Sequence, residues 1–530
     1  MRNQEVLDTT HTHMAADVAA DAAGLSLVEE ANGRSAWTFA KRPLARLILQ
    51  GIKEKPEING ETAALHGFDD KKKTWTVSEE SNKAQRFKVK RRQLSLQVEP
   101  PPAAFSCDAV QVVDAGDQKR VVASQRFNPG DILFEETPIL RRSAATTSIY
   151  TLGDDVERFF ALPEADRENI LALHANDTIN IKHSNASQNA KVMGHDVERS
   201  SMEAARLLDM LVKKGCKVPE GQEAAARRFL LVWDTNSYTN VNGEGIYLLL
   251  SRMNHSCRPN AQRMPDGDSF YVVALRTIQP GEEIVHSYLR EAMLFEPRDL
   301  RQKRLRSWFP SCWCIRCADE YDDVRCFPCA KGGGGVCMVK PSPEGDTLEH
   351  PNSVVLLRAE GQIRKKYIAL EEGQEQITPP AVQTLLQLAQ RMLGVGHWLL
   401  ASIADLAQDM ATQMGLLQAS ELPKQERLKS LNTAAQLATE WVEGWRAVGS
   451  LPPAAQSVAT RHERAGDLLT AFSKFEANAF LAAVEQYLLA RSEMAALAAL
   501  DGHPIVRRIE GKLKAALNGE VCDQDLPKDR

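Results

Sequence analysis

The stretch that decides the fold lies between residues 243 and 289. It reads Gly243-Glu-Gly-Ile-Tyr247, then Arg252-Met-Asn254-His255-Ser256-Cys257-Arg258-Pro259-Asn260, then Pro280-Gly281-Glu282-Glu283-Ile284-Val285-His286-Ser287-Tyr288. Phe270–Leu275 and Ile284–Val285 favour strands, with Pro280-Gly281 turning between them. Glu282 and Glu283 do not read as an acid–base pair. They are adjacent on a turn into a strand, so their side chains diverge and are assigned to structure. The same alternation predicts that His286 faces outward from its strand.

Outward from this segment, β-favouring runs at Val110–Val113, Val121–Ser124 and Ile132–Glu135 precede a helical stretch from about Asp154 to Leu231. Upstream, Trp75–Val77, Phe87–Val89 and Leu94–Val98 alternate with turn signals, predicting a small β-barrel over residues 45–99. Its run Lys88-Val89-Lys90-Arg91-Arg92 reads either as a solvated strand edge or as a localisation or anion-binding patch. Residues 1–44 are Ala-rich and read as a flexible N-terminus, and Glu99-Pro100-Pro101-Pro102 as a stiff linker. Beyond residue 355 the chain is Ala- and Leu-rich at helical spacing, with breaks at Pro379-Pro380, Pro423 and Pro452-Pro453. The Trp441 and Trp445 stripe there is read as core.

The 530 residues exceed the usual span of about 100–200 per domain, so several domains are expected. Charges sum to 65 − 70 = −5, which gives no reason to expect direct nucleic-acid binding. No apolar run is long enough to span a membrane, and the N-terminus lacks a signal-peptide pattern, so a cytoplasmic or nuclear protein is expected. Six of the ten cysteines fall between residues 312 and 337, a clustering that favours metal over disulfides. Cys326, Cys329 and Cys337 read as a poorer second site, with distant His350 the nearest fourth ligand. Cys107, Cys216 and Cys522 read as isolated thiols.

Asn-His-Ser-Cys-x-Pro-Asn followed by Gly-Glu-Glu-Ile-x-x-x-Tyr resembles the SET-domain protein methyltransferases. Pro129-Gly130-Asp131-Ile132-Leu133-Phe134-Glu135-Glu136 is similar to the family's first strands. Thr235-Asn236-Ser237-Tyr238 is similar to its Thr-Asn-aromatic element, and Cys312-x-Cys314-x-x-Cys317 to its post-SET segment. The helical C-terminus is similar to the tetratricopeptide-like (TPR-like) end of the SET–MYND (SMYD) group. The insert between Arg141 and Leu231 holds only Cys216, so the chain reads as SMYD-like without a MYND finger. The resemblance implies an α+β multidomain protein. Its parts are a β-rich SET domain at 105–292 with a helical insert at about 150–232, a cysteine-rich post-SET segment at 293–345, and an all-α TPR-like domain at 355–530.

It also implies S-adenosylmethionine-dependent methylation of lysine side chains on a protein substrate, histone or non-histone. The chemistry then needs a neutral amine held in line. At pH 7 neutralising a lysine of pKa about 10.4 costs about 4.6 kcal/mol, which an apolar channel and the neighbouring sulfonium charge reduce. Tyr288 is implied as the catalytic tyrosine, with Tyr247 or Tyr238 as further channel walls. Asn254, His255 and Asn236 are implied to hold the cofactor, and Phe309 or Trp308 to stack on adenine. The family's Gly-x-Gly is replaced by Gln118-Lys119-Arg120, where Lys119 or Arg120 can pair with the cofactor carboxylate. Cys257, Cys312, Cys314 and Cys317 are implied as ligands of a structural Zn2+. A catalytically silent SET scaffold that binds partners is the alternative, favoured by the lost glycines.

Overall fold

The computed structural model describes residues 25–520, apart from 30–34, 40–44, 70, 99–108, 116–117, 144–150, 175–196, 241, 307, 330–335, 417–422, 453–455, 474–478 and 498–503. The proposed linker, Cys107 and Cys522 lie outside the described residues, as does most of the N-terminal stretch. The described residues form two compact units. One draws on Met1–Ala103, Arg290–Arg298 and Ala318–Arg530, the other on Ala104–Leu289 and Asp299–Cys317.

In the first unit β1 (Leu25–Glu29) pairs with β2 (Ser35–Phe39). Then β3 (Ala45–Leu49), β4 (Ala63–Asp69), β5 (Thr74–Glu79), β6 (Phe87–Lys90) and β7 (Leu94–Val98) form two small antiparallel sheets, β3-β7 and β4-β5-β6. The β3–β7 module does not keep its core to itself. Leu47, Leu49, Trp75, Val77 and Val89 pack with Phe480, Val484, Tyr487 and Leu513 from the far end of the chain, and Trp75 Nε1 donates to the Leu517 carbonyl at 3.0 Å. Five short strands bury too little apolar surface alone, so they share a core with the C-terminal helices.

The second unit is the β-rich one. Its strands are β8 (Val110–Ala115), β9 (Gln118–Ala123), β10 (Ile132–Glu136) and β11 (Leu140–Ser143). Helices α1 (Thr151–Ala161), α2 (Glu164–Leu171), α3 (Val197–Lys213) and α4 (Glu223–Asn236) then intervene. Their core around Phe159, Leu208, Phe229 and Trp233 also takes in Leu140 and Ile246 from the strands. Strands resume with β12 (Ser237–Asn240), β13 (Gly243–Ile246), β14 (Asn254–His255), β15 (Ala261–Asp266), β16 (Ser269–Ala274) and β17 (Val285–His286), followed by α5 (Arg298–Leu305) and α6 (Ile315–Ala318). The sheets are β8-β9, β10-β16-β15, β11-β13-β12 and the parallel pair β14-β17. Neither Gln118 nor Arg120 needs glycine's backbone freedom. β9 runs in regular antiparallel register with β8, and Lys73 is the only described non-glycine residue with a positive φ.

The first unit resumes with β18 (Asp322–Pro328), β19 (Val336–Lys340) and β20 (Thr347–Leu348), then seven helices: α7 (Ser353–Glu371), α8 (Pro379–Met392), α9 (Trp398–Leu416), α10 (Lys424–Arg446), α11 (Gln456–Ser473), α12 (Ala479–Leu497) and α13 (Pro504–Leu517). Each packs chiefly on its sequence neighbours. Trp441 and Trp445 stack at 5.3 Å and both are buried, as expected of core. At Gly466 any Cβ would sit 2.6 Å from the Tyr487 ring, so glycine is what lets α11 and α12 approach here.

His462 on α11 is buried, with Nδ1 2.8 Å from Gln486 Oε1. Burial, with a smaller contribution from Arg446, pushes its pKa down to about 4. The folded state therefore favours the neutral ring, so stability is present above the unfolded pKa near 6.5 and lost as pH falls toward 4. The loss is up to about 3 kcal/mol. Urea melts at pH 7.5 and 4.5 should show the parent losing more stability on acidification than His462→Gln.

Candidate active site

The parallel β14–β17 pair joins the two halves of the signature, with Asn254 opposite Val285 and His255 opposite His286. Asn260 secures it. Its Nδ2 donates to the Glu283 carbonyl at 2.8 Å and to Glu282 Oε1 at 3.1 Å, and its Oδ1 accepts from Val285 N at 2.8 Å. Ser256 N donates to the His286 carbonyl at 2.9 Å. Each side of this crossing fixes the other's backbone by bonds that are at least partly shielded from water.

Tyr288 stands just beyond the crossing. Its hydroxyl donates to the Met253 carbonyl at 3.0 Å, and its backbone N–H donates to His255 Nδ1 at 3.0 Å. His255, His286 and Trp308 surround the phenol, with ring centroids at 5.3, 5.3 and 5.7 Å, and Phe309 lies 6.2 Å away. Burial pushes the Tyr288 hydroxyl well above its ordinary pKa, with Tyr238 and Glu283 adding to the rise, so it stays a neutral phenol. Burial likewise pushes Tyr238 up to about 12, and its hydroxyl donates to the Leu250 carbonyl at 3.3 Å. Tyr247 donates to the Asp268 carbonyl at 2.6 Å and is also pushed up to about 12, chiefly by burial.

A polar group flanks this aromatic cluster. Asn254 Nδ2 donates to Glu283 Oε1 at 2.7 Å and approaches the Lys119 carbonyl at 3.4 Å. The Glu283 carboxylate also lies 3.6 Å from Arg120 Nε. The side chains of Lys119 and Arg120 are each about half exposed, and Lys119 reaches Asp114 at 3.4 Å. The structure thus brings together Tyr288, His255, Asn254, Arg120 and Phe309, with the Lys119 backbone beside Asn254. Asn236 is held elsewhere. It is buried at the end of α4, and its amide donates to the carbonyls of His174 and Val232.

Two residues have parts that the sequence reading missed. Glu282 is structural as expected, bonded to Arg276, Gln279 N and Asn260, but Glu283 orients Asn254. His286 does not face outward. It is buried beside Tyr288, with Nδ1 2.9 Å from an Arg263 nitrogen. In this two-residue strand His286 takes the inner face and Val285 stays partly exposed, so the alternation holds with its faces exchanged.

The sulfurs of Cys257, Cys312, Cys314 and Cys317 all lie within 4.8 Å of one another. Cys317 Sγ is 3.6 Å from Cys257 Sγ. Four thiolates at about 2.3 Å from a tetrahedral zinc stand about 3.8 Å apart, so the spacing fits that ion. Contacts among the thiols, Cys257 first, draw Cys314 toward its thiolate, and the guanidinium of Arg301 lies 3.9 Å from Cys317 Sγ. Among the described residues no other group of three or more metal-ligating side chains comes together this closely. Cys326 donates its thiol to the Asp323 carbonyl at 2.9 Å and pairs across the sheet with Met338, while Cys337 pairs with Phe327. Cys326 and Cys337 therefore lie on opposite faces, which separates the ligands of the expected second site.

The SET-domain family profile matches residues 118–289. The protein-lysine N-trimethyltransferase SMYD5 of Mus musculus is 40% identical over 92 residues, 17% of this chain and 22% of that protein. The histone-lysine N-methyltransferase SMYD3 of Mus musculus is 37% identical over 96 residues, again 17% and 22%. The SET domain and MYND-type zinc finger protein 6 of Schizosaccharomyces pombe is 35% identical over 88 residues, 16% and 17%. The alignments span about a fifth of these relatives' length. No described helix is long and apolar enough to cross a membrane.

Metal analysis of the purified chain should find about one zinc, lost together with thermal stability on chelation. Cys314→Ser should lower zinc content and melting temperature, whereas Cys337→Ser should leave zinc content unchanged.

Proposed function

Residues 118–289 are a SET domain homologous to those of the SMYD protein-lysine methyltransferases, and on that footing we propose that this chain methylates lysine side chains of proteins using S-adenosylmethionine. The observation that carries the reading is the position of Tyr288. It is a neutral, partly buried phenol locked to Met253 and His255, beside an aromatic cluster and near the Asn254–Glu283–Arg120 group. The cofactor, when bound, supplies a methyl group already activated by a sulfonium, so the protein needs no nucleophile or catalytic metal of its own.

The residues present match the two ends of that cofactor. Asn254, with half-exposed Arg120 and Lys119 nearby, suits a zwitterionic amino-acid end. The His255 main chain and the Phe309 ring, 5.9 Å from the His255 ring, suit a purine. Glu283 holds the Asn254 amide so that its carboxamide oxygen is oriented before the cofactor arrives. Tyr288 orients the acceptor amine, and Tyr238 is a channel wall. Because the phenol does not ionise, it acts by position and by its dipole. The four cysteines would hold a zinc whose part is structural, since four thiolates leave no open position for water. The C-terminal helices, read as TPR-like, and the sheets that share their core would serve in recognition of the protein substrate.

Calorimetry should detect S-adenosylmethionine binding that weakens about tenfold in Asn254→Ala, the cost of one well-made polar contact. Tyr288→Phe should bind the cofactor about as well as the parent but transfer labelled methyl at least about a hundredfold more slowly. Equal transfer by Tyr288→Phe would remove the catalytic assignment. No cofactor binding at millimolar concentration would favour the silent scaffold.

A further inference from the structure

Behind Tyr288 lies a charge that the reading above does not use. Arg263 on β15 sends one guanidinium nitrogen to His286 Nδ1 at 2.9 Å and to the Ser287 carbonyl at 2.8 Å. Its guanidinium carbon sits 5.2 Å from the centre of the Tyr238 ring. Among the described residues no carboxylate pairs with this cation. A guanidinium can only donate, so His286 Nδ1 must be the acceptor and the ring proton must sit on Nε2. That Nε2 is buried without a hydrogen-bond partner, in a ring 5.3 Å from Tyr288 and 6.2 Å from Tyr238.

This corner of the site therefore presents a fixed positive charge and an N–H donor. The carboxylates that bear on Tyr288 and Tyr238, Glu283 and Glu136, are each engaged by other donors. Tyr238 and Tyr288 stay protonated, their hydroxyls donated to the Leu250 and Met253 carbonyls. His255 gives its Nδ1 to Tyr288 N. Glu283 is engaged by Asn254 and Arg120, and Glu136 by the backbone N–H groups of Leu249 and Leu250. His286 itself is held neutral by burial, reinforced by Arg263 and His255.

We propose that Arg263, oriented by His286, is a positioning pair that selects the acceptor by protonation state, admitting an uncharged primary or secondary amine and repelling the ammonium form. The inference rests on the methyltransferase reading. A lysine ammonium entering beside Tyr288 meets the like charge of Arg263, which no described carboxylate pairs. The neutral amine has a lone pair and no charge to repel. The cation thus lowers the pKa of the bound acceptor through space, as a neighbouring positive charge must.

The test is the pH dependence of labelled-methyl transfer into heat-inactivated lysate protein, from pH 6.5 to 10, for the full-length parent, Arg263→Gln and Arg263→Lys. Arg263→Gln should move the acidic limb up by about one pH unit, giving about tenfold slower transfer at pH 7 and near-parental rates on the alkaline plateau. Arg263→Lys keeps the charge and should keep the parental limb. A second readout does not depend on activity. Nitrogen-15 spectra of labelled histidine, with the signal identified by its loss in His286→Gln, should show Nε2 protonated and Nδ1 bare from pH 5.5 to 9. A uniform loss at every pH in Arg263→Gln, an unmoved limb, or a His286 ring that carries its proton on Nδ1 would each overturn the proposal. Parental protein that transfers no methyl at any pH would instead overturn the methyltransferase reading, and the gate with it.

Discussion

Two adjacent residues, Asn254 and His255, run parallel to two others, Val285 and His286, and Asn260 ties the pair together through its side-chain amide. Everything placed at the site hangs from this crossing. It delivers Cys257 to the three cysteines of the downstream segment, and Asn254 to the Glu283 carboxylate. It brings the Tyr288 backbone to the ring of His255. Parallel pairing cannot be closed by a tight turn, so the chain must thread two distant segments side by side and hold them there. Asn260 provides that hold with both ends of its carboxamide.

The four-sulfur cluster is the second restraint on the same segment. Cys257 follows His255 by two residues, and His255 Nε2 lies 3.2 Å from Cys257 Sγ. The segment that carries Tyr288's histidine partner is therefore also the segment that a bound zinc would clamp. Phe309 and Trp308, just before Cys312, come to the Tyr288 and His255 rings as part of that same collar. Loss of metal is expected to loosen the aromatic wall as well as the loop.

Much of this was legible in the sequence because the signature residues are close in number and few in kind. The Asn-His-Ser-Cys and Gly-Glu-Glu-Ile runs identified the SET core, and the three clustered cysteines with Cys257 form the one close sulfur set among the described residues. What escaped the sequence depended on distant packing. Nothing local to Trp75 tells that its indole bonds Leu517, more than four hundred residues away. Asn236 carries the family's motif, yet its amide is spent on the helix end and on the carbonyl of His174. His286 takes the inner face of β17 while Val285 stays partly exposed, and two residues are too few for alternation to tell which faces inward. Gln118 and Arg120, which stand where the resemblance expects glycines that let the backbone come close to the cofactor, sit in ordinary strand geometry, and Arg120 Nε lies 3.6 Å from the Glu283 carboxylate.

The central claim is methyl transfer to protein lysine, and the most direct measurement follows label chemically. Full-length protein is incubated with methyl-labelled S-adenosylmethionine and whole-cell lysate, the labelled proteins are hydrolysed, and the modified amino acid is identified. The account predicts label in N-methylated lysine. Label confined to another amino acid, or none at all from a folded, zinc-loaded chain, would contradict it.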